Sequence, residues 1–375
     1  MRIAAVVLFV SVPLLGNPFF SITDVGTLGG ASATGYAISN SGIIAGFAEN
    51  SSGNQSAFSY HGQLTPLSAT GALSSQANGV NSSGVVAGTV FTAAGAVGGI
   101  WNGTVFSGIA NPESYAMDIN DQGWVVGAAQ GNAFIDRNGA LTKLGTLPGG
   151  AWSAAYSLNE TGQVAGYSDT GSGNFHAFLW TANSGMVDLG TLGGTSSYAM
   201  GINASGNIVG SSTDSSGFLQ AFLWTHTGIQ SLGTLPGATS SMAYGINSSG
   251  SVVGYSGGHA FLWANGIMTD LNTLIPLGSG WELDAAYGIN DTGEIVGTGT
   301  YNGQSHAFLL DPAQRSSSLL TFSALVSAPE PNAGWILACV LALACYYRRD
   351  ESRNVRRAAK IAHRGCPQSD RGRLG

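Results

Sequence analysis

The chain has 375 residues, 57 of them glycine, with only 9 % charged residues and a formal net charge of −7. Of its 13 lysines and arginines nine lie from Arg348 onward, so the stretch before Arg348 holds 17 acidic against 4 basic residues. A body so poor in cations cannot supply phosphate contacts, which excludes nucleic acid as a partner. All three cysteines (Cys339, Cys345, Cys366) lie near the C-terminal end, so no disulfide framework holds the body together, and burial must do so.

Residues 1–17 place Arg2 before an apolar run from Ile3 to Leu15, the layout of a secretory signal, with cleavage expected after Gly16. The run is too short to stay in a bilayer as a spanning helix. Phe20 to Gly30, "FSITDVGTLGG", follows as an isolated strand that matches "MVDLGTLGG" at Met186 to Gly194.

From there one element recurs seven times. Gly-x-[Ile/Val]-[Val/Ala]-Gly begins at Gly42, Gly84, Gly123, Gly162, Gly206, Gly250 and Gly293, at intervals of 39 to 44 residues. A period near 40 marks a repeat architecture. The fifth copy divides into four short runs: Tyr198 to Asn203, Asn207 to Ser211, Gln220 to Thr225 and Ile229 to Thr234. Each is rich in β-branched and aromatic residues and bounded by Gly, Ser, Asn or Asp, which predicts strands joined by turns. Asn81, Asn120, Asn159, Asn203, Asn247 and Asn290 share one turn position, where the first copy has Ser39. Phe58, Phe134, Phe178, Phe222, Phe261 and Phe308 share a position in the third run, with Trp101, Trp180, Trp224 and Trp263 close behind. Aromatics on such a beat pack one repeat against the next.

Four strands per unit of this length is the pattern of a propeller blade. A fourth run follows the first six copies, near Leu64, Val105, Leu141, Met186, Ile229 and Met268, and is missing after the seventh. The isolated strand at the N-terminus supplies it. The expected fold is therefore all-β: a seven-bladed β-propeller of four-stranded blades, closed by the N-terminal strand, plus a short C-terminal membrane helix. An open solenoid would leave that N-terminal strand unexplained.

The C-terminal part reads as an address. "SAPEP" (Ser327 to Pro331) precedes an apolar stretch from Ala333 to Tyr347, then Arg348 and Arg349. Fifteen helical residues reach about 22 Å, short of the roughly 30 Å hydrocarbon core, which suits a transient stop. The following positive charge favours a cytoplasmic location for that end. With Pro329, Glu330 and Pro331 ahead of the apolar stretch, this part resembles the PEP-CTERM sorting signal of Gram-negative bacteria. The body resembles extracellular HAF-repeat proteins: the triplet stands at His176-Ala177-Phe178, His259-Ala260-Phe261 and His306-Ala307-Phe308, beside "DLGTLGG" at Asp188 to Gly194. These resemblances imply transient residence in the inner membrane, processing by an exosortase-like enzyme, and delivery to the cell surface or exopolysaccharide matrix. The chain departs from the family by running on for 26 residues after the arginines. The expected organisation is a signal peptide (1–17), propeller (18–312), linker (313–328), sorting signal with apolar helix (329–349) and basic tail (350–375).

Catalytic signatures are sparse. "GYSGG" (Gly254 to Gly258) has nucleophile-elbow spacing around Ser256, but an elbow needs a strand-to-helix corner and sister copies show Ser168 and Ser212 there. The HAF histidines occupy equivalent places in different repeats, too far apart to share a metal, and read as strand packing with a hydrogen bond to a nearby turn. No cofactor motif is present. Asp284 and Asp291 lie in loops with weak calcium character, and the sequons at Asn50, Asn81, Asn203 and Asn247 read as turn residues. Residues that break the repeat are more informative: Trp124, Trp152 and Trp281, the last beside Glu282 and Asp284 in the longest connection between repeats, Leu274 to Tyr287. Trp152 and Trp281 fall on one face with the loops Glu49 to Gln55, Asp169 to Phe175 and Asp214 to Leu219. Aromatic platforms beside polar groups suit sugar binding, so Trp152, Trp281, Glu282 and Asp284 are the candidate ligand-binding residues. Gap-filling under long loops is the competing explanation for the tryptophans. The expected function is a non-enzymatic surface or matrix propeller that binds polysaccharide or surface proteins. The alternatives are an extracellular polysaccharide hydrolase or lyase, with Glu282 and Asp284 as its best acidic pair, and a coat component without a ligand.

Overall fold

The computed structural model describes residues 19–109 and 113–313. The expected signal peptide, the rest of the linker, the sorting signal (Pro329, Glu330, Pro331, Arg348, Arg349) with its apolar helix, and the 350–375 tail lie outside the described residues. Among the described residues no helix is long and apolar enough to cross a membrane. Apart from a single 3-10 turn at Leu271–Thr273, their regular structure is β-strand.

The fifth repeat shows how sequence becomes sheet. Its strands are Gly193–Ile202, Ile208–Asp214, Leu219–Thr225 and Gly228–Gly233, hydrogen-bonded in chain order. The first strand starts five residues before the expected Tyr198, because Gly193 already pairs with Asp214 and bulges absorb the mismatch. Five such four-stranded sheets form, together with one sheet of eight strands. In the larger sheet a single parallel bridge, Ser32 to Ser305, joins two four-stranded groups. One group belongs to the first repeat. The other holds Trp281–Ile289, Ile295–Tyr301 and Gln304–Pro312 of the seventh repeat, completed by Phe20–Gly26. That N-terminal strand runs antiparallel to the last one, with Ile22 opposite Leu310 and Asp24 opposite Phe308, as its sequence match to a fourth strand required.

Apolar clusters lie between neighbouring sheets. Phe261 and Val252 of the sixth repeat pack with Val209, Ala221 and Leu223 of the fifth, and Phe308 and Leu310 of the seventh meet Val253 and Ala260 of the sixth. Six phenylalanines at the repeating position are fully buried (Phe58, Phe134, Phe178, Phe222, Phe261, Phe308). Burying one such ring is worth roughly 1.5–3 kcal/mol in apolar transfer. The second glycine of each repeat is set by this packing: a Cβ on Gly254 would collide with the Met242 carbonyl and the Phe261 ring. The first glycine answers to backbone conformation instead, as Gly206 in its turn has φ +77°.

The turn asparagines do two jobs at once. Asn203 Oδ1 accepts the Ser205 and Asn207 N–H groups of its own turn, at 3.1 and 3.0 Å. Its Nδ2 donates to the Asn247 carbonyl of the next repeat at 3.0 Å. Asn81, Asn120, Asn159, Asn247 and Asn290 repeat that donation at 3.1–3.3 Å, and Asn290 reaches the Ser39 carbonyl, linking the last repeat to the first. The amide carries the acceptor and the donor on separate atoms, so one can serve its own turn while the other reaches the next repeat. Ser39 keeps the acceptor half, taking the Ile43 N–H at 3.1 Å, and Ser41 Oγ bridges to the Ser82 carbonyl at 2.9 Å in place of the missing amide. Asn81, Asn203 and Asn247 are thus buried with their amides engaged, which rules out their use as glycan acceptors.

Candidate functional site

Strand direction alternates within each sheet. The turns joining first to second strands therefore lie at one end of the barrel of sheets, and the loops between second and third strands, with the repeat-to-repeat connections, lie at the other. The first strands and the asparagine turns enclose a cavity of about 310 Å³. Its wall carries one side chain per repeat at a shared position: Tyr36, Asn78, Met117, Tyr156, Met200, Tyr244 and Tyr287. Tyr287 stands edge-on to Tyr36 with centroids 5.2 Å apart, and Tyr244 lies 5.0 Å from Tyr287. These three tyrosines come from the sixth, seventh and first repeats, so their contiguity depends on the seventh repeat meeting the first. Burial pushes the Tyr244 phenol up to about 12, with Tyr287 adding to it, and raises Tyr36 and Tyr287, so all three stay neutral over the physiological range.

One position behind this tier, other repeats have Ala37, Gly79, Ser157, Gly201, Gly245 and Gly288, whereas the third has Asp118. Asp118 Oδ2 accepts the Ser157 hydroxyl at 2.9 Å and the Leu158 N–H at 3.1 Å from the fourth repeat, and Oδ1 accepts the Ile119 N–H at 2.8 Å. Gly79 makes room on the other side, since a Cβ there would lie 2.8 Å from the Asp118 Cα. Asp118 keeps a strip of surface on the cavity, yet protein encloses it closely enough that desolvation pushes its carboxyl up to about 6 against the three hydrogen bonds. At the rim, Asp121 accepts the Ser82 N–H and hydroxyl, Glu160 accepts the Asp121 N–H, and Asp291 accepts the Ser248 N–H and the Asn40 amide. Asp118 is not among the residues that the repeat pattern singles out. Its signal was an acid at a position that is otherwise glycine, alanine or serine.

At the loop end the structure places the expected ligand residues in two groups. Trp152 packs 5.4 Å from Tyr167 and 5.7 Å from Phe175, and Tyr167 continues to Tyr156 and Tyr198. Trp281 stacks on Tyr301 at 4.8 Å and 15°, with His306 and Phe308 edge-on. The two tryptophans share no aromatic partner. Glu282 is exposed, while Asp284 is half-buried and accepts the Thr300 hydroxyl at 3.3 Å. Burial raises the Asp284 carboxyl, Glu282 raises it further, and His259 works against both. Neither Glu282 nor Asp284 lines the cavity. Trp124, the third repeat-breaking tryptophan, lies under the Arg137 guanidinium at 4.8 Å, in a structural cation–π contact.

The HAF histidines each pair with a fourth-strand aspartate rather than a turn. His176 meets Asp188 at 2.8 Å, His259 meets Asp270 at 2.6 Å and His306 meets Asp24 at 2.9 Å. The Asp270 hydrogen bond raises the His259 imidazole. The third pair ties the N-terminal strand to the last strand. Ser256 is buried, accepting the Leu235 N–H and donating to the Ser240 carbonyl, which leaves no nucleophile at that elbow-like sequence. Among the described residues no group of three or more His, Cys, Asp or Glu side chains is disposed to hold a metal ion.

No protein-family model matches the chain, and no curated protein matches it. Solved structures do. The chain is similar over 81 % of its length to the whole of YCF48, solved bound to a D1 peptide, with a TM-score of 0.50 at 10 % identity. The WD40 β-propeller domain of Doa1 aligns over 98 % of its length with 80 % of this chain, at TM-score 0.46 and 12 % identity. A lectin of Aleuria aurantia aligns over 91 % of its length with 74 % of this chain, at TM-score 0.37 and 12 % identity. The chain has a β-propeller fold. At these identities the likeness says nothing of function.

Proposed function

We propose that this propeller has seven blades, is exported through its signal peptide and PEP-CTERM-like segment, and serves at the cell surface or in the polysaccharide matrix as a non-enzymatic binding or structural module of the HAF-repeat kind. An exosortase-like enzyme is its processing partner, and polysaccharide or a surface protein its ligand. At the central cavity, what supports binding over turnover is the engagement of its acids. Asp118, Asp121, Glu160 and Asp291 all accept N–H or O–H groups that tie one repeat to the next or shape their own turn. A general acid or base must be free to exchange a proton with substrate. The loop face, where the repeat is broken by Trp152 and Trp281, is the surface offered to a ligand.

Glycan-array binding by the full chain tests this reading, with Trp152→Ala and Trp281→Ala as controls. Binding lost at least tenfold in either variant, with the melting temperature retained, supports it. No glycan binding would leave the coat role. Polysaccharide turnover abolished by Glu282→Gln would overturn it in favour of the hydrolase or lyase.

A further inference from the structure

The central cavity carries negative charge that no cationic side chain of its lining offsets. Its lining holds Asp118, Asp121, Glu160 and Asp291 and no lysine, arginine or histidine. The hydrogen bonds to these carboxylates come from neutral backbone, amide and hydroxyl groups, so their negative charge is spread but not cancelled. The same lining carries the contiguous Tyr36, Tyr287 and Tyr244 of the first, seventh and sixth repeats and Tyr156 of the fourth, whereas Asp118, Asp121 and Glu160 come from the third and fourth. A tyrosine face presents the negative side of its quadrupole, and the attraction of an organic cation to it strengthens where the site is desolvated. The cavity volume sits at the low end of the roughly 300–1,000 Å³ typical of small-molecule sites.

We propose that the tyrosine-walled cavity at the centre of the ring binds a small organic cation, a quaternary or alkyl ammonium of about choline size. An inorganic cation would gain little from tyrosine faces and would want free oxygen ligands, which the engaged carboxylates do not offer. A neutral sugar could hydrogen-bond the tyrosine hydroxyls but would draw nothing from the uncompensated charge. The cavity meets the loop-face cluster through Tyr156, which stacks on Tyr167 beside Trp152. Tyr287 packs on Tyr36 and Tyr244, in repeats other than that of Trp152, so variants of Tyr287 and Tyr244 test the site independently of polysaccharide binding at Trp152.

The test is calorimetric titration of the full chain with choline and with its neutral isostere 3,3-dimethylbutan-1-ol. Saturable choline binding is expected, with the isostere at least tenfold weaker. Tyr287→Leu should weaken choline at least tenfold, whereas Tyr287→Phe should keep it within about threefold. Should Tyr287→Leu fail to fold, Tyr244→Leu replaces it, with the same expectation. Equal affinity for the isostere, absence of saturable choline binding, or choline affinity unchanged in the folded leucine variant would overturn the proposal.

Discussion

The two ends of the ring obey different rules. At the turn end nearly every repeat presents the same asparagine, glycine and hydrogen-bond pattern, and each side chain is used up in holding its neighbour. At the loop end the repeat is broken by Trp152 and Trp281, by connections of unequal length, and by exposed side chains such as Phe218 and Leu277. A residue that recurs on the beat is held there by packing and hydrogen bonding with the next repeat. A residue that departs from it is released from that duty. Asp118 is the informative exception, a departure from the beat on the channel side, where sister residues have almost no side chain.

The largest expected effect at the regular end comes from Asp118. Its folded-state pKa of about 6 lies above the ordinary 3.8, so the native state holds the proton more tightly than the unfolded chain. Its contribution is therefore most favourable below about pH 4 and is lost as pH rises through about 6, a swing of up to about 3 kcal/mol. Denaturant titrations at pH 4 and pH 7 should show Asp118→Asn gaining on the parent protein by that order between the two conditions. A stability difference independent of pH would show that the carboxyl is already solvated. Next comes Asn247→Ala, which leaves the Ser251 N–H without its acceptor and removes the bond to the Asn290 carbonyl. It should cost about 2 kcal/mol by the same titration. A cost below about 0.5 kcal/mol would mean that the asparagine ring decorates the turns without holding them. The smallest effect is a gain: Ser39→Asn restores the one missing amide and should stabilise by about 0.5–1 kcal/mol.

Much of this could be read from residues alone, because the period carries information over long separations. The match between Phe20–Gly30 and Met186–Gly194 revealed the closing strand although its partner lies more than 280 residues away. The phenylalanine beat revealed the packing between sheets. The asparagines were legible as turn residues but not as a ring, since a turn signal needs only the Oδ1 half of the amide. The Nδ2 half finds its acceptor only once repeats stand side by side. The His–Asp pairs were hidden for a similar reason: Asp188 and Asp270 sit on fourth strands, and their register against the HAF strand depends on the hairpin between. Trp152 and Trp281 share an end of the ring, but belong to the fourth and seventh repeats, and sequence gives no distance between them. The cavity was not legible either, because its wall takes one side chain from each of seven separated segments.

The closed propeller requires Phe20–Gly26 and Gln304–Pro312 to meet in one sheet. Cross-linking Thr23→Cys to Leu309→Cys tests this most directly, since the two residues stand opposite each other in the antiparallel pair and neighbouring strands bring such Cα atoms to about 4.5–5.5 Å. On mild oxidation of the full-length double variant, mass spectrometry of proteolysed protein should find the peptides around residues 23 and 309 joined by an intramolecular disulfide in most molecules. Failure of that pair to join, while a cysteine at position 23 joins readily to one placed on another repeat's third strand, would contradict a ring closed by its first strand.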